Sequence, residues 1–199
     1  MESLKIEIKY NWQVNNNTLN GKFKGGSQCG PASCCMMLST YIPEASSDQF
    51  VKSFIEIIDK DWLAGKVDRQ SAYQFNYEKT INQFLTKYNI PKKAITKPHS
   101  ATFEEIYEAL QSGSPVMTST KLTDSGHYIC IVGWDEPSQS FIVHDPYGRF
   151  DFKTNTYAKV TDGAGAFVKY SYALLSPAMI RSSEMVNGKG FRVIYLTDK

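Results

Sequence analysis

Residues 126–145 read GHYICIVGWDEPSQSFIVHD and contain two apolar runs, 127–134 and 140–144, rich in β-branched and aromatic residues. Such runs are typical of strands, and the short connection between them favours an antiparallel pair. His127 opens the first strand and Asp145 follows the second. We therefore expect the two residues to lie close together, where a carboxylate can fix the tautomer and orientation of an imidazole.

The segments outside this pair predict helices first and strands afterwards. Apolar periodicity predicts four helices, at 31–41, 49–59, 72–89 and 102–112, with Asp48 capping the second, Thr102 with Glu105 capping the fourth, and Gly113 ending it. Strand patterns cover 1–14, 115–121, 166–172 and 190–197, and 15–27 is expected to be a loop. Helices followed by an antiparallel sheet indicate an α+β fold, formed by one domain over 1–199.

The composition excludes several classes of protein. A chain of 199 residues can bury a core without disulfide or metal staples. Its 22 basic and 20 acidic residues leave a formal net charge of +2, too small for an electrostatic nucleic-acid or anionic-membrane surface. The chain shows neither the apolar core of a signal peptide nor a run of about 18 apolar residues. We expect synthesis as a soluble cytoplasmic protein.

Cys29 lies in the segment GGSQCGPASCCMML, just before a predicted helix with Pro31 in its first turn. The partial positive charge at a helix N-terminus favours a thiolate, and the free N–H groups there can stabilise an oxyanion. On this segment alone, a small residue in a tight Gly-Pro turn is an equal interpretation. Taken with His127 and Asp145, however, Cys29 completes a nucleophile, a base and an orienting carboxylate.

A metal site is the competing interpretation of the cysteines and histidines. His127 and Cys130 are three positions apart in a strand, so their side chains point to opposite faces. The sequence contains no C-x₂-C pair and no H-x₃₋₅-H pair of the zinc-binding kind. We therefore expect neither a metal nor an organic cofactor.

The remaining cysteines, histidines and nearby aromatic residues have simpler expected roles. Cys34 and Cys35 fill the core beside two methionines, and His144 points away from Asp145. His99 lies in a predicted loop with no visible partner. Trp134 and Tyr147 flank the proposed site and are expected to line a cleft.

The motifs together resemble the C39-like cysteine peptidases of the papain-like superfamily. The resemblance is carried by QCGPASCCMML at 28–38, SGSPVM at 112–117, GHYICIVGWDE at 126–136 and FIVHDPYG at 141–148, and covers about 12 to 150. It implies a papain-like fold, with an N-terminal helical half whose nucleophile helix packs on a C-terminal antiparallel sheet. It also implies that Cys29 is the nucleophile, His127 the general base and acid, and Asp145 the orienting residue.

The family also uses a Gln upstream of the nucleophile as an oxyanion donor. At the usual distance this chain has Phe23, a departure from the family pattern. Gln13, in WQVNNN, is similar to the Q-x-[DN]-N segment of phage-type members and is therefore the implied donor. Asn16, Asn17 and Gln28 remain alternatives.

The resemblance implies hydrolysis of an amide bond through a thioester. As a stand-alone chain without a signal peptide, this sequence resembles the phage or bacterial branch of the family. Some members of that branch cut the peptide cross-links of the cell wall. The implied substrate is a peptide or a peptidoglycan stem peptide, and the implied setting is an endolysin-like enzyme released to the wall or carried in a virion. Two alternatives remain: transglutaminase- or amidase-type acyl transfer on the same fold, and a non-catalytic virion or binding protein that retains the motifs.

Overall fold

A computed structural model describes residues 1–16, 24–63, 77–184 and 189–199 of the protein. The α-helices in these ranges are α1 (Cys29–Leu38), α2 (Asp48–Leu63), α3 (Tyr77–Lys87), α4 (Phe103–Gln111) and α5 (Tyr172–Glu184). Short 3-10 turns occur at Gln13–Asn15, Gly25–Ser27 and Pro43–Ser46. Within the described ranges, no helix combines the length and apolarity needed to cross a membrane.

The strands build one large antiparallel sheet and a small separate hairpin. They are β1 (Leu4–Lys5), β2 (Lys92–Ala101), β3 (Val116–Thr120), β4 (His127–Asp135), β5 (Ser140–His144), β6 (Arg149–Asp151), β7 (Thr156–Lys159), β8 (Val168–Ser171) and β9 (Phe191–Asp198). The large sheet has the order β2-β9-β3-β4-β5-β8, with β1 paired to β4. β6 pairs with β7. Because β4 and β5 have strand neighbours on both sides, the ends of these strands are firmly held.

Helices cover both faces of the sheet because the side chains of its central strands alternate between two cores. On β4, Cys130 and Val132 face a core shared with α1, α2 and α3, whereas Ile129 and Ile131 face a core shared with α4 and α5. Nine of the ten residues of α1 are buried. A helix that is apolar all round needs such an interior position, and only its first residue remains partly open.

The predicted helix starts differ slightly from those observed. α1 begins at Cys29 rather than after it, so the candidate nucleophile is the first helical residue. For α2 the predicted cap Asp48 is wrong by one position: Ser47 Oγ accepts the N–H of Phe50 at 3.3 Å, and Asp48 belongs to the first turn. The beginning of the predicted third helix, 72–76, lies outside the described residues.

The helix predicted over 102–112 has the expected start. Thr102 Oγ1 accepts the N–H of Glu105, and the Glu105 carboxylate accepts the N–H of Thr102, which completes the capping box. Gly113, with φ of +81°, follows the end of α4 as expected.

Other elements were not predicted from the sequence. Residues 92–101, which include His99, form strand β2 rather than a loop, because β9 pairs with this lysine-rich segment along an edge of the sheet. α5 follows β8 although it contains Pro177. The N-terminal strand is much shorter than 1–14. The architecture is α+β, with helices also inserted in the C-terminal half.

Candidate active site

Cys29 is placed at the start of α1 by the 3-10 turn Gly25–Ser27. Its side chain is partly exposed, unlike the other three cysteines, which are buried and also reduced. The backbone N–H groups of Gly30 and Tyr128 donate to the Cys29 sulfur, and the His127 side chain is hydrogen-bonded to it. The thiol is thus surrounded by donors that favour its ionised form.

His127 is the first residue of β4 and is buried. Its Nε2 atom lies 2.8 Å from Asp145 Oδ1, and the imidazole is also hydrogen-bonded to Cys29. Because Nε2 faces the carboxylate, Nδ1 is the nitrogen that remains for the thiol. The rings of Tyr147 and Tyr157 stand edge-on to the imidazole, with centroids 6.5 and 5.7 Å away.

Asp145 follows β5 and is completely buried. Besides His127, its carboxylate accepts the N–H of Tyr147 at 3.1 Å and the hydroxyls of Tyr157 and Tyr170, each at 3.0 Å. The Tyr10 hydroxyl donates to the Asp145 carbonyl at 2.7 Å, which anchors the backbone as well. A buried carboxylate is costly unless donors satisfy its lone pairs, and four donors contact the carboxylate of Asp145.

The electrostatics favour a thiolate–imidazolium pair. Burial alone raises the pKa of Cys29, but the hydrogen bond and charge of His127 outweigh it, so the pKa of Cys29 falls below its ordinary value. Burial likewise opposes the charged imidazole, but the charge and hydrogen bond of Asp145, followed by Cys29, raise the pKa of His127. Each group favours the charged form of its neighbour, as a preformed nucleophile requires.

Gln13 is buried next to the turn that leads to Cys29. Its side-chain Nε2 donates to the carbonyl of Gly25 at 3.1 Å, and its backbone N–H donates to the carbonyl of Pro146 at 2.9 Å. Gly25 has to be a glycine, because a Cβ there would overlap the Gln13 carbonyl oxygen. Gln13 is therefore fixed beside the turn that precedes Cys29, with one Nε2 proton bonded to that turn.

The alternatives to Gln13 have different surroundings. Asn16 donates to Asn11 Oδ1 at 3.1 Å, and Asn11 in turn donates to the Ser46 carbonyl, so this amide ties the N-terminal segment to the start of α2. Gln28 is buried, and its carbonyl accepts the N–H of Ala32. Asn17 and Phe23 lie outside the described residues.

The other histidines and cysteines do not join this cluster. His144 is buried on the opposite side of β5 from Asp145, and Cys34, Cys35 and Cys130 belong to the core between the sheet and α1. His99 stands in β2. Across the part of the chain that the structure describes, no group of three or more His, Cys, Asp or Glu side chains is placed to hold a metal ion.

The two aromatic residues expected to line a cleft have different positions. Tyr147 is half-buried beside His127, as expected. Trp134 is wrong in this role: its side chain is buried against Phe103 and Phe141 in the second core, with its indole N–H donating to Glu136. Its position seven residues along β4 from His127 moves it to the far end of the strand.

The sequence model of the peptidase C39-like family matches residues 5–178, which is most of the chain. The chain belongs to the peptidase C39-like family. The match confirms the resemblance inferred from the motifs, and the α+β architecture is that of a papain-like C39-like peptidase. Comparison with curated proteins gave no match. The family supports peptidase activity for this member, and includes Cys29, His127 and Asp145 within the matched range.

Tyr157 and Tyr170 are the neighbours of the site that sequence reasoning missed. They lie on β7 and β8, and both hydroxyls reach Asp145. No spacing rule connects them, because the hairpin of β6 and β7 was not predicted. The DPYG turn at 145–148 was the available signal, since a turn directly after the carboxylate returns the chain past it.

Proposed function

We propose that this peptidase C39-like protein is a cysteine peptidase that hydrolyses an amide bond through Cys29, His127 and Asp145. One observation carries the proposal: His127 stands between a partly exposed thiol and a completely buried carboxylate, with one ring nitrogen for each. This is the nucleophile, base and orienting-residue geometry of thiol hydrolases.

In the proposed reaction the Cys29 thiolate attacks the carbonyl carbon of the scissile amide, and the π electrons move to oxygen. The backbone N–H of Cys29 and the side chain of Gln13 donate to the oxyanion. The imidazolium of His127 gives its proton to the leaving nitrogen as the C–N bond breaks, which leaves a thioester. Neutral His127 then takes a proton from water as the water oxygen attacks the thioester carbonyl carbon. The C–S bond breaks, which releases the carboxylic acid product and restores the Cys29 thiolate beside the imidazolium.

Asp145 holds the imidazole in one orientation throughout this cycle. Its charge stabilises the imidazolium at both stages in which His127 carries two protons. The nucleophile stands at the N-terminus of α1, where the unpaired N–H groups of the first turn favour negative charge on sulfur and oxygen alike. No step requires a group beyond the chain and water.

We further propose peptide cross-links of the bacterial cell wall as the substrate. The support is the resemblance of the Gln13 segment to phage-type members of the family, because some members of the phage or bacterial branch cut such cross-links. Net charge near zero gives no long-range attraction to a polyanion, so recognition has to depend on short-range contacts near Cys29.

The test is mass spectrometry of peptidoglycan fragments after incubation with the protein, with casein as a general peptide substrate. Wild type is expected to release products that gain one water per bond cleaved, and Cys29→Ala none. Cys35→Ala, a buried thiol in the same helix, is the matched control and should retain activity. Release of ammonia or incorporation of an added amine would instead indicate acyl transfer. Absence of any product with wild type would indicate a non-catalytic protein.

A further inference from the structure

Two phenol side chains support the buried end of the site. The Tyr157 hydroxyl lies 3.0 Å from Asp145 Oδ2 and 3.3 Å from Oδ1, and the Tyr170 hydroxyl lies 3.0 Å from Oδ2. Oδ1 is shared with His127 and the N–H of Tyr147. Thus Oδ2, the oxygen turned away from the imidazole, depends on the two tyrosines.

A carboxylate without exposure keeps its charge only when its surroundings replace water. Removal from water raises the pKa of a carboxyl group, and hydrogen bonds to the ionised form lower it. Among the described residues, His127 is the only cationic side chain within ion-pair distance of Asp145. The charge on Asp145 is therefore balanced by one imidazole and by neutral donors.

Both tyrosines remain donors under all ordinary conditions. Burial and the charge of Asp145 raise the pKa of Tyr157 and of Tyr170 far above their ordinary value. Neither phenol therefore ionises in competition with Asp145, and each presents its proton to the carboxylate. Burial and Asp145 raise the pKa of Tyr10 in the same way, but its hydroxyl donates to the backbone carbonyl instead.

We propose that Tyr157 and Tyr170 are positioning residues that hold the Asp145 carboxylate in place against His127, and thereby keep Cys29 and His127 as a thiolate–imidazolium pair. The inference rests on the proposed cysteine peptidase function and extends it to a second layer of the site. Without the hydroxyls, the carboxylate is no longer fixed against His127 Nε2 and stabilises the imidazolium less. The imidazolium then returns its Nδ1 proton to the Cys29 sulfur and keeps the proton on Nε2.

The groups that can change charge around this carboxylate come from several elements. They are Tyr10 with its neighbour Asp162, Cys29 on α1, His127 on β4, Tyr157 on β7 and Tyr170 on β8. Of these groups, the pKa of Cys29 is lowered and the pKa of His127 is raised, so each favours the charged form of the other. The pH dependence of the sulfur therefore reports the state of this pair.

The two tyrosines differ in a way that sharpens the test. Tyr170 also accepts the N–H of Phe150 at 2.8 Å, so Tyr170→Phe leaves that buried N–H without its partner. Tyr157→Phe removes only donors to Asp145, while its ring can remain edge-on to His127. Tyr107→Phe, on α4 and outside the site, is the matched control, because it removes a hydroxyl hydrogen-bonded to the backbone of Glu2.

The experiment measures the second-order rate of Cys29 alkylation by iodoacetamide as a function of pH, with mass spectrometry to identify the labelled cysteine. We expect the midpoint of the profile to rise by about one pH unit in Tyr157→Phe, and further in the double variant with Tyr170→Phe, because hydrogen bonds to a charged group have about this effect. Labelling below the wild-type midpoint then slows roughly tenfold. Tyr107→Phe is expected to keep the wild-type profile.

Alkylation needs no substrate, so its outcome separates two kinds of failure. Unchanged midpoints in both single variants and in the double variant, in folded proteins, would overturn the inference and leave the peptidase proposal intact. A wild-type profile with the midpoint of an ordinary thiol would overturn both. A loss of thermal stability equal to that of Tyr107→Phe, with no shift in midpoint, would assign the tyrosines a structural role only.

Discussion

His127 Nε2 lies 2.8 Å from Asp145 Oδ1, and both side chains are buried at the same end of the neighbouring strands β4 and β5. The two residues are eighteen positions apart in sequence and are joined by the antiparallel pair β4 and β5. A buried carboxylate at this distance stabilises positive charge on the imidazole more strongly than water does.

Asp145→Asn should lower kcat by orders of magnitude, up to about 10⁴-fold, while leaving the fold intact. The amide keeps the shape of the carboxylate but removes the charge that raises the pKa of His127. Turnover of a peptide substrate and thermal unfolding, measured on the same samples, check this. Asp135→Asn is the control, because that carboxylate forms a surface ion pair with Lys169 and should affect neither quantity strongly. Equal losses in both variants would contradict the assignment.

Cys29 should react with iodoacetamide much faster than the other three thiols near neutral pH. The pKa of Cys29 lies below the ordinary value, whereas burial raises that of Cys34, Cys35 and Cys130. Because the pKa of Cys29 is lowered, its reactive thiolate persists as the pH falls into the range in which an ordinary free thiol is already protonated. Peptide mapping after partial labelling measures the four rates, and slow uniform labelling of all four would refute a preformed thiolate.

The central sheet and the triad candidates could be predicted because each depends on local pattern. The runs on β4 and β5 have clear strand composition, and a turn and a helix start mark the places where His127 and Cys29 stand. β2 escaped prediction because Lys93, Lys97 and Pro98 hide the pattern of an edge strand, which β9 completes by pairing. Residue propensity cannot report a partner that lies about one hundred positions away in the chain.

The support of Asp145 could not be predicted for a related reason. Hydroxyl groups from β7 and β8 converge on the carboxylate through the packing of a short hairpin against the sheet. A tyrosine in a sequence is far more often simply a core residue, and no fixed spacing distinguishes one that donates to a carboxylate. Likewise, α5 contains Pro177, which argues against a helix until tertiary packing on β3 stabilises it.

Gln13→Ala should lower kcat by about 10²–10³-fold with little change in KM, the loss expected for one oxyanion donor. The side chain also donates to Gly25, so thermal unfolding has to be measured alongside. Asn16→Ala is the matched control: it removes a neighbouring amide whose donor is directed at Asn11. If Asn16→Ala loses turnover and Gln13→Ala does not, the oxyanion assignment belongs to Asn16.

Gly30→Ala should destabilise the site because no room exists for a methyl group. A Cβ at this position would overlap the hydroxyl of Tyr77 and lie 2.7 Å from its Cζ atom. Tyr77 is buried against Phe54, so either its packed ring or the start of α1 has to shift. We expect a loss of about 1–3 kcal/mol in unfolding free energy.

Two variants test this steric account of Gly30. Gly26→Ala, where a methyl group meets nothing within 4 Å, should cost much less in the same chemical denaturation measurement. Tyr77→Phe removes the nearest obstructing atom and should recover part of the loss when combined with Gly30→Ala. Additive effects of the two substitutions would show that they do not interact.

His144→Phe should make the protein more resistant to acid. Both ring nitrogens of His144 are buried without hydrogen-bond partners among the described residues, between the rings of Tyr10 and Phe167. Burial and the nearby charge of Lys5 lower its pKa from 6.5 to about 4. Between pH 6.5 and about 4, His144 is therefore protonated in the unfolded chain but neutral in the folded state. Stability is lost as the pH falls through this range, and His144 causes no loss above it.

The shift corresponds to about 3 kcal/mol at the low end of the window. Phe has a similar shape and cannot be protonated, so the variant should lack this component of acid sensitivity. Urea unfolding of wild type and His144→Phe at pH 7 and pH 4 measures it, because contributions of all other groups cancel in the double difference. At pH 7 the variant should be at least as stable, since no hydrogen bond is lost. Equal acid sensitivity of the two proteins would mean that His144 is already paired or protonated in the folded state.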